Sequence, residues 1–390
     1  MSSIIILILL LIFVFFIYPY IFYPILLFII SKLSKKEIIR NEYTPEVSIV
    51  ISAYNEEKYI EQCILSILNT DYPQDKIKIY VGSDGSTDRT CEIVSKLSER
   101  YKNIFLYDLQ RTGKNTLINR LIRHIESEYI LFLDADLRLL NSSLSSLMTN
   151  FYDDSVGCVL ANLVIQSNNS DNTGFKGETL YQKFETYLRH FESSIASTVN
   201  NLGTLYGIRR ELFEFLPNDY VCDDMFLLLT VISKNKRAIF DINTSVIEIR
   251  EKSLRDEMRR RVRLVAGGLS TIQSRKELFS IKYGFIPLFL ISHKLIRYFS
   301  PIILIIIAVL SVLTYSNPNI FFTLVVLQCI IYFSSLLGYL FEKFGFDVGL
   351  FRFPLLFVSM NISIFKGLIR YLKKGQNATW ERIDTQKSNK

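Results

Sequence analysis

The sequence predicts an α/β fold, a mostly parallel sheet with helices on both faces, carried between transmembrane helices at both ends. Three observations lead there. Strand-like apolar runs alternate with stretches of helical period through the middle of the chain, the order that builds a parallel sheet. Each run stops at a cluster of acidic or turn-forming residues. Both ends are dominated by Ile, Leu and Phe, while nearly all acidic residues fall between Glu37 and Glu277, the pattern of a polar middle held between membrane segments.

The first element is the uncharged run at residues 4–30, long enough to cross a bilayer as one helix, with Pro19 and Pro24 as possible kinks. A cleaved signal peptide is the competing reading. No basic residue precedes the run, the apolar stretch is too long, and no small-x-small site follows, so an anchor over residues 1–31 is preferred. Lys32, Lys35, Lys36 and Arg40 come next. Such residues stay on the cytoplasmic side, which places the middle domain, residues 45–280, at the cytoplasmic face of a multi-pass membrane protein, in a prokaryotic plasma membrane.

Residues 47–53 read as a buried strand, followed by Tyr54-Asn55-Glu56-Glu57 and apolar positions at helical spacing from Ile60 to Leu68. Residues 77–82 read as a strand, 83–88 as a turn and 89–101 as a helix. Residues 104–107 and 129–133 are further strands, with a helix over 114–125 between them. In parallel sheets ligands bind outside the carboxyl ends of the strands, where every one of these polar clusters falls. Beyond residue 280 come apolar stretches at 301–313 and 320–340, parted by Ser316-Asn317-Pro318-Asn319. Residues 350–372 carry Arg352, Lys366 and Arg370 and are compatible with a span, a re-entrant segment or an interfacial helix. Residues 281–373 thus form a C-terminal membrane region, and 374–390 a polar tail.

Four clusters can carry chemistry. Ser83-Asp84-Gly85-Ser86-Thr87-Asp88 offers backbone amides to an anion and a carboxylate to a base or ribose, although a plain helix cap has the same composition. Asp134-Ala135-Asp136 places two carboxylates where both can approach one hard cation, Mg²⁺ or Mn²⁺; two solvated loop acids are the bland reading. Asp223-Asp224 sits at a helix start, which the helix dipole explains by itself, or supplies a general base. Arg259, Arg260, Arg261 and Arg263 lie on one helix that either clamps a diphosphate or rests on lipid headgroups. The net charge of +7 lies mostly beside membrane segments, and no aromatic-basic module for nucleic acid is present. Five cysteines without metal spacing read as buried thiols.

In this order, the pieces from about Pro45 to Gly268 resemble the family 2 nucleotide-sugar glycosyltransferases of GT-A fold. The membrane-bound enzymes that make cellulose, hyaluronan and poly-N-acetylglucosamine are the most similar subgroup. The segment from Ser292 to Tyr298 is similar to a basic interface segment of those enzymes. The resemblance implies that Ala53, Tyr54 and Glu56 line a nucleotide pocket and that Asp84 contacts the base or ribose. It implies that Asp134 sits beside the diphosphate, that Asp136 is the metal ligand with Asp134 near it, and that Lys114 belongs to a Gly-Lys element near the donor. Asp224 matches the catalytic base, with Asp223 where a Glu is usual. Arg260 and Arg263 fall in the element that is Gln-x-x-Arg-Trp in processive synthases, here without the Gln and the Trp. The implied activity is inverting transfer from a nucleotide-sugar, a UDP-linked one being the expectation, to a glycan or lipid-linked hydroxyl at a lipid membrane. Transfer to a polyprenyl phosphate, which needs no such base, and a catalytically silent membrane scaffold are the alternatives.

Overall fold

The computed structural model describes residues 2–166, 173–201, 203–218, 220–249, 254–313, 318–344, 346 and 348–373. Helices α1 (Ser2–Ile17) and α2 (Phe22–Leu33) precede the sheet domain. The domain then runs β1 (Val47–Ala53), α3 (Ile60–Leu68), β2 (Ile77–Asp84), α4 (Thr90–Arg100), β3 (Ile104–Leu109), α5 (Lys114–Ile122), β4 (Tyr129–Asp134) and β5 (Leu137–Leu139). It continues with α6 (Ser143–Thr149), β6 (Val156–Gln166), α7 (Thr173–Ile195), β7 (Tyr206–Arg209), α8 (Asp223–Ser233), β8 (Arg237–Ile249) and α9 (Leu254–Ser274). Short helices α10 (Ile286–Phe289) and α11 (Ile296–Tyr298) flank a π-helical turn at Leu290–Leu295 and lead into α12 (Ser300–Leu313), α13 (Pro318–Lys343) and α14 (Arg352–Leu372).

The eight strands form one sheet in the order β3-β2-β1-β4-β7-β6-β8-β5. β1 pairs in parallel with β2 and β4, β2 with β3, and β6 with β8, while β7 and β5 run antiparallel to their neighbours. The expectation of a mostly parallel sheet is met, with β7 as the reversal beside β4.

Alternation along the strands supplies two core faces. Ile49 and Ile51 of β1 and Leu131 and Leu133 of β4 pack with α3, α4 and α6. Val50, Ile130 and Phe132 point the other way, onto α5 and α8. Burial on both sides is why these strands read as unbroken apolar runs. The second face continues into Tyr23 and Leu27 of α2 and into Phe289 and Leu290, so α2 is part of the domain's core, whereas α1 packs on α12.

The stretch expected as an anchor over residues 1–31, with Pro19 and Pro24 as kinks, forms two helices bent by 57° at the break that holds Pro19. Proline lacks the amide that would continue the ladder and its ring clashes with the preceding turn. Among the described residues, Thr323–Lys343 and Gly349–Leu372 are long and apolar enough to cross a membrane, and the number rises to four if each of two bent pairs forms one span. The stretch at 350–372, left open by its sequence, is a helix that packs Ile364 and Leu368 on Val265 and Leu269 of α9. Of the five cysteines, Cys63, Cys158 and Cys222 are buried, but Cys329 on α13 is exposed.

Candidate active site

The carboxyl ends of β1, β2 and β4 lie side by side, Ser52 opposite Asp134 and Ala53 opposite Ser83. This register delivers Asp84 and Asp134 to one edge of the sheet. Leaving β1, Asn55 adopts a left-handed backbone (φ 55°), and its side-chain oxygen accepts from the Thr87 amide at 2.8 Å. The amide of Glu56, itself buried, donates to Thr90 Oγ1 at 2.8 Å. These bonds stitch the loop after β1 to the loop after β2. Gly85 (φ 71°) turns that second loop within 2.9 Å of the Arg111 backbone amide, measured from where a Cβ would stand. No other residue type fits there. Arg111 in turn lays its guanidinium 3.4 Å from the centre of the Tyr54 ring.

Asp84 is buried and accepts from the backbone amides of Thr112 (2.7 Å) and Gly113 (3.0 Å). Its carboxylate therefore holds the turn that starts α5. The next residue, Lys114, is the link between distant stretches. Its Nζ lies 3.1 Å from Asp134 Oδ1 and 3.4 Å from Asp223 Oδ2. Burial works against the ammonium charge, but Asp134 and Asp223 outweigh it and hold the lysine well above its ordinary value. Lys114 borders two adjoining hollows. The larger is also lined by Asp134, Gly203, Thr204 and Tyr206; the other by Ser52, Ala53 and Asp84.

Asp223 and Asp224 begin α8, where the helix dipole favours negative charge. Asp224 is 8% exposed, and its pKa is pushed up to about 6, by burial first and then by neighbouring Asp223, against the pull of the Met225 amide and Lys114. Left-handed Gly203 (φ 70°) faces it, a Cβ there standing 3.3 Å from Asp224 Oδ2. Behind the acids, Gly267 and Gly268 let α9 approach; a Cβ would meet Cys222 Sγ at 2.7 Å and the Tyr298 hydroxyl at 2.5 Å.

Asp136 stands half-buried two residues beyond Asp134. Burial first, then Asp136, Asp134 and Glu56, push the Cys63 thiol up, which marks these three acids as near neighbours of one point. Among the described residues, no three Asp, Glu, His or Cys side chains gather closely enough to enclose an ion by themselves. Two carboxylates at a strand end still fit a hard divalent cation that completes its shell with water and phosphate oxygens. Asp134 is also held by the Lys114 ammonium.

The arginines divide. Arg261 pairs with Glu257 at 3.3 Å and lies over Tyr181. Arg260 reaches the same glutamate at 3.7 Å. Arg263 has its Nε buried without a hydrogen-bond partner; burial pulls its pKa below the usual value, Arg260 adds to this, and Cys222, Asp134 and Asp223 oppose it. Tyr206 Oη is likewise buried without a hydrogen-bond partner. Such orphans gather where a polar ligand completes a site.

Ala53, Tyr54, Glu56, Asp84, Asp134 and Asp136 thus lie at or just beyond the carboxyl ends of β1, β2 and β4, Lys114 joins Asp134 to Asp223, and Arg260 and Arg263 stand on α9. Sequence reasoning missed Arg111, whose only signal was its place just before Thr112-Gly113-Lys114. It also missed the role of Ser292-His293-Lys294. Ser292 and His293 are buried, His293 between Glu185 and Glu192 of α7.

Residues 48–216 match the family model for glycosyl transferase family 2. A beta-monoglucosyldiacylglycerol synthase of Nostoc is 25% identical over 173 residues, 44% of this chain and 37% of that enzyme. A poly-beta-1,6-N-acetyl-D-glucosamine synthase of Staphylococcus aureus is 29% identical over 139 residues, 35% of this chain and 33% of that enzyme. Each match spans only about a third of the relative's own length. A mannosyltransferase of Pyrobaculum calidifontis, solved with GDP-Man and Mn²⁺, superposes with a TM-score of 0.73 at 19% identity, covering 95% of this chain and 99% of that one. The two share the GT-A fold.

Proposed function

From the family 2 glycosyl transferase domain at residues 48–216, we propose an inverting enzyme that moves a sugar from a nucleotide-sugar donor to an acceptor hydroxyl on a lipid or a growing glycan, working at the cytoplasmic face of a membrane. The observation that carries the reading is the Lys114 bridge. One ammonium contacts Asp134 at the end of β4 and Asp223 at the start of α8, so the donor-side and acceptor-side acids share one cleft.

Each residue then has a physical task. Asp84 sets the turn before Lys114, and Ala53, Tyr54 and Glu56 form the neighbouring wall for base and ribose. Lys114 and Arg263 face the departing diphosphate, Arg263 with an unused donor. A divalent cation held by Asp136, with Asp134 beside it, would neutralise charge on that leaving group. Asp224, with a pKa of about 6, is mostly ionised at neutral pH yet basic enough to take the proton of an attacking hydroxyl. Attack on the face opposite the diphosphate inverts the anomeric centre without a covalent enzyme intermediate. A base tuned in this way favours a hydroxyl acceptor over a lipid phosphate, which arrives already ionised. The names of the relatives, one a glycolipid synthase and one a polysaccharide synthase, support an acceptor of either kind.

The test is a panel of UDP- and GDP-linked sugars with the full-length protein in vesicles, with Mg²⁺, Mn²⁺ or EDTA, following nucleotide release. At least one donor should be consumed, dependent on metal. No release from any donor would reject the enzyme.

A further inference from the structure

Away from the cleft acids, α7 carries Glu185, Arg189 and Glu192, all essentially buried, and the first and last of these grip His293 in the π-helical turn. His293 Nδ1 lies 2.7 Å from Glu192 Oε1 and Nε2 lies 2.9 Å from Glu185 Oε2. A neutral imidazole has one N–H, so either tautomer would aim a lone pair at a carboxylate less than 3 Å away. With both nitrogens donating, the ring is a cation.

The two glutamates also reach one short stretch of chain, Glu192 through its other oxygen and Glu185 through the same Oε2 that meets His293. Glu192 Oε2 accepts from Thr198 Oγ1 at 2.9 Å and from the Val199 amide at 3.3 Å. Glu185 Oε2 accepts from Asn200 Nδ2 at 2.6 Å, and Lys294 Nζ donates to Asn200 Oδ1 at 2.5 Å. Three consecutive residues are thereby fixed just ahead of Gly203, which faces Asp224, and Thr204, which lines the larger hollow. On the other side, the Tyr23 hydroxyl of α2 donates to Glu192 Oε1 at 2.6 Å, and Arg297 donates to Glu185 Oε1 at 2.6 Å.

Apolar packing would join α7 to α2 and the π-helical turn at least as firmly, because burying ions costs desolvation that their attraction barely returns. What the charged bonds add is direction. π-Turns within helices recur at functional sites for the same reason.

We propose that His293, clamped between Glu185 and Glu192, is a positioning residue that holds residues 198–200, just ahead of the Gly203 that faces Asp224, so that the N-terminal helix α2 helps set the acceptor side of the cleft. This rests on the glycosyltransferase reading. The bonds named above run to α2, to residues 198–200 and to the segment 293–297, whereas the donor side is built on β1, β2 and β4, so donor binding is expected to be independent of the cluster.

The experiment compares Glu192→Gln and Tyr23→Phe with wild type, all full-length in vesicles. Nucleotide release is followed without acceptor, with diacylglycerol in the vesicle, and with an N-acetylglucosamine oligomer. Glu192→Gln keeps its volume but surrenders either the Val199 amide or the His293 and Tyr23 donors. Its kcat with acceptor should fall 10- to 100-fold, while donor KM stays within twofold and release to water persists. Tyr23→Phe removes one hydroxyl without disturbing packing, and should fall 3- to 10-fold with the same split; it decides the matter if Glu192→Gln does not fold. Unchanged transfer in the variants, or donor KM and release to water worsening in step with transfer, overturns the positioning role while the enzyme stands. A wild type that releases no nucleotide from any donor overturns both.

Discussion

Replacing Lys114 by methionine keeps the length of the side chain and removes the charge that joins two ends of the site. At an effective dielectric of about 20, each contact at 3.1 and 3.4 Å is worth about 5 kcal/mol before desolvation. The Asp134 carboxylate is 43% exposed and water screens it, whereas that of Asp223 is 7% exposed. The Asp223 arm therefore carries most of the effect, and leaving it unpaired costs about 3 kcal/mol. The functional consequence runs through Asp224. Lys114 lowers the pKa of Asp224 and Asp223 raises it, so removing the lysine must move Asp224 upward from about 6, by roughly one unit or more. The assay is kcat for transfer from pH 5 to 9 at saturating donor. Wild type should lose activity as pH falls through about 6, and Lys114→Met should lose it about one unit higher. An acid limb that stays in place, or moves down, would refute the claim that this lysine governs the base.

Two further substitutions probe the donor side. Asp84→Asn turns an acceptor into an amide facing the Thr112 and Gly113 N–H groups; it should cost about 2 kcal/mol of stability and raise donor KM about tenfold or more, read by thermal unfolding and donor titration. Arg263→Met removes a buried guanidinium whose Nε has no partner, so donor KM should rise about tenfold while the melting temperature holds or increases; a clear drop in melting temperature with unchanged KM would place this arginine in the framework instead.

How much of this was legible beforehand depended on distance along the chain. β1, β2 and β4 announce themselves because central parallel strands are apolar on both faces, and Asp84 and Asp134 stand where the apolar run ends. The bend at Pro19 could be named as a possible kink, but not its size, which depends on packing of Tyr23 and Leu27 into the domain. Nothing local pairs Lys114 with Asp223, because the bridge exists only once β7 reverses the chain beside β4. The α7 cluster left a faint trace: Glu185, Arg189 and Glu192 recur at helical spacing on an otherwise aromatic helix. Its partner His293 lies 101 residues beyond Glu192, in a segment read only by its resemblance to a basic interface segment.

The central claim is that Asp224 is kept buried and destabilising because the reaction requires a base there. Its folded pKa of about 6 exceeds the unfolded value near 4, so the stability it contributes is fully present below about pH 4 and is lost progressively as pH rises through 6. At pH 7.5 the ionised form is a net penalty, at most about 3 kcal/mol and less once shared with Asp223. Asp224→Asn, measured at pH 7.5 for both unfolding and transfer, should therefore melt a few degrees higher than wild type, bind donor normally and transfer almost no sugar. A variant that melts lower, or that still transfers to a hydroxyl at the wild-type rate, would contradict the account.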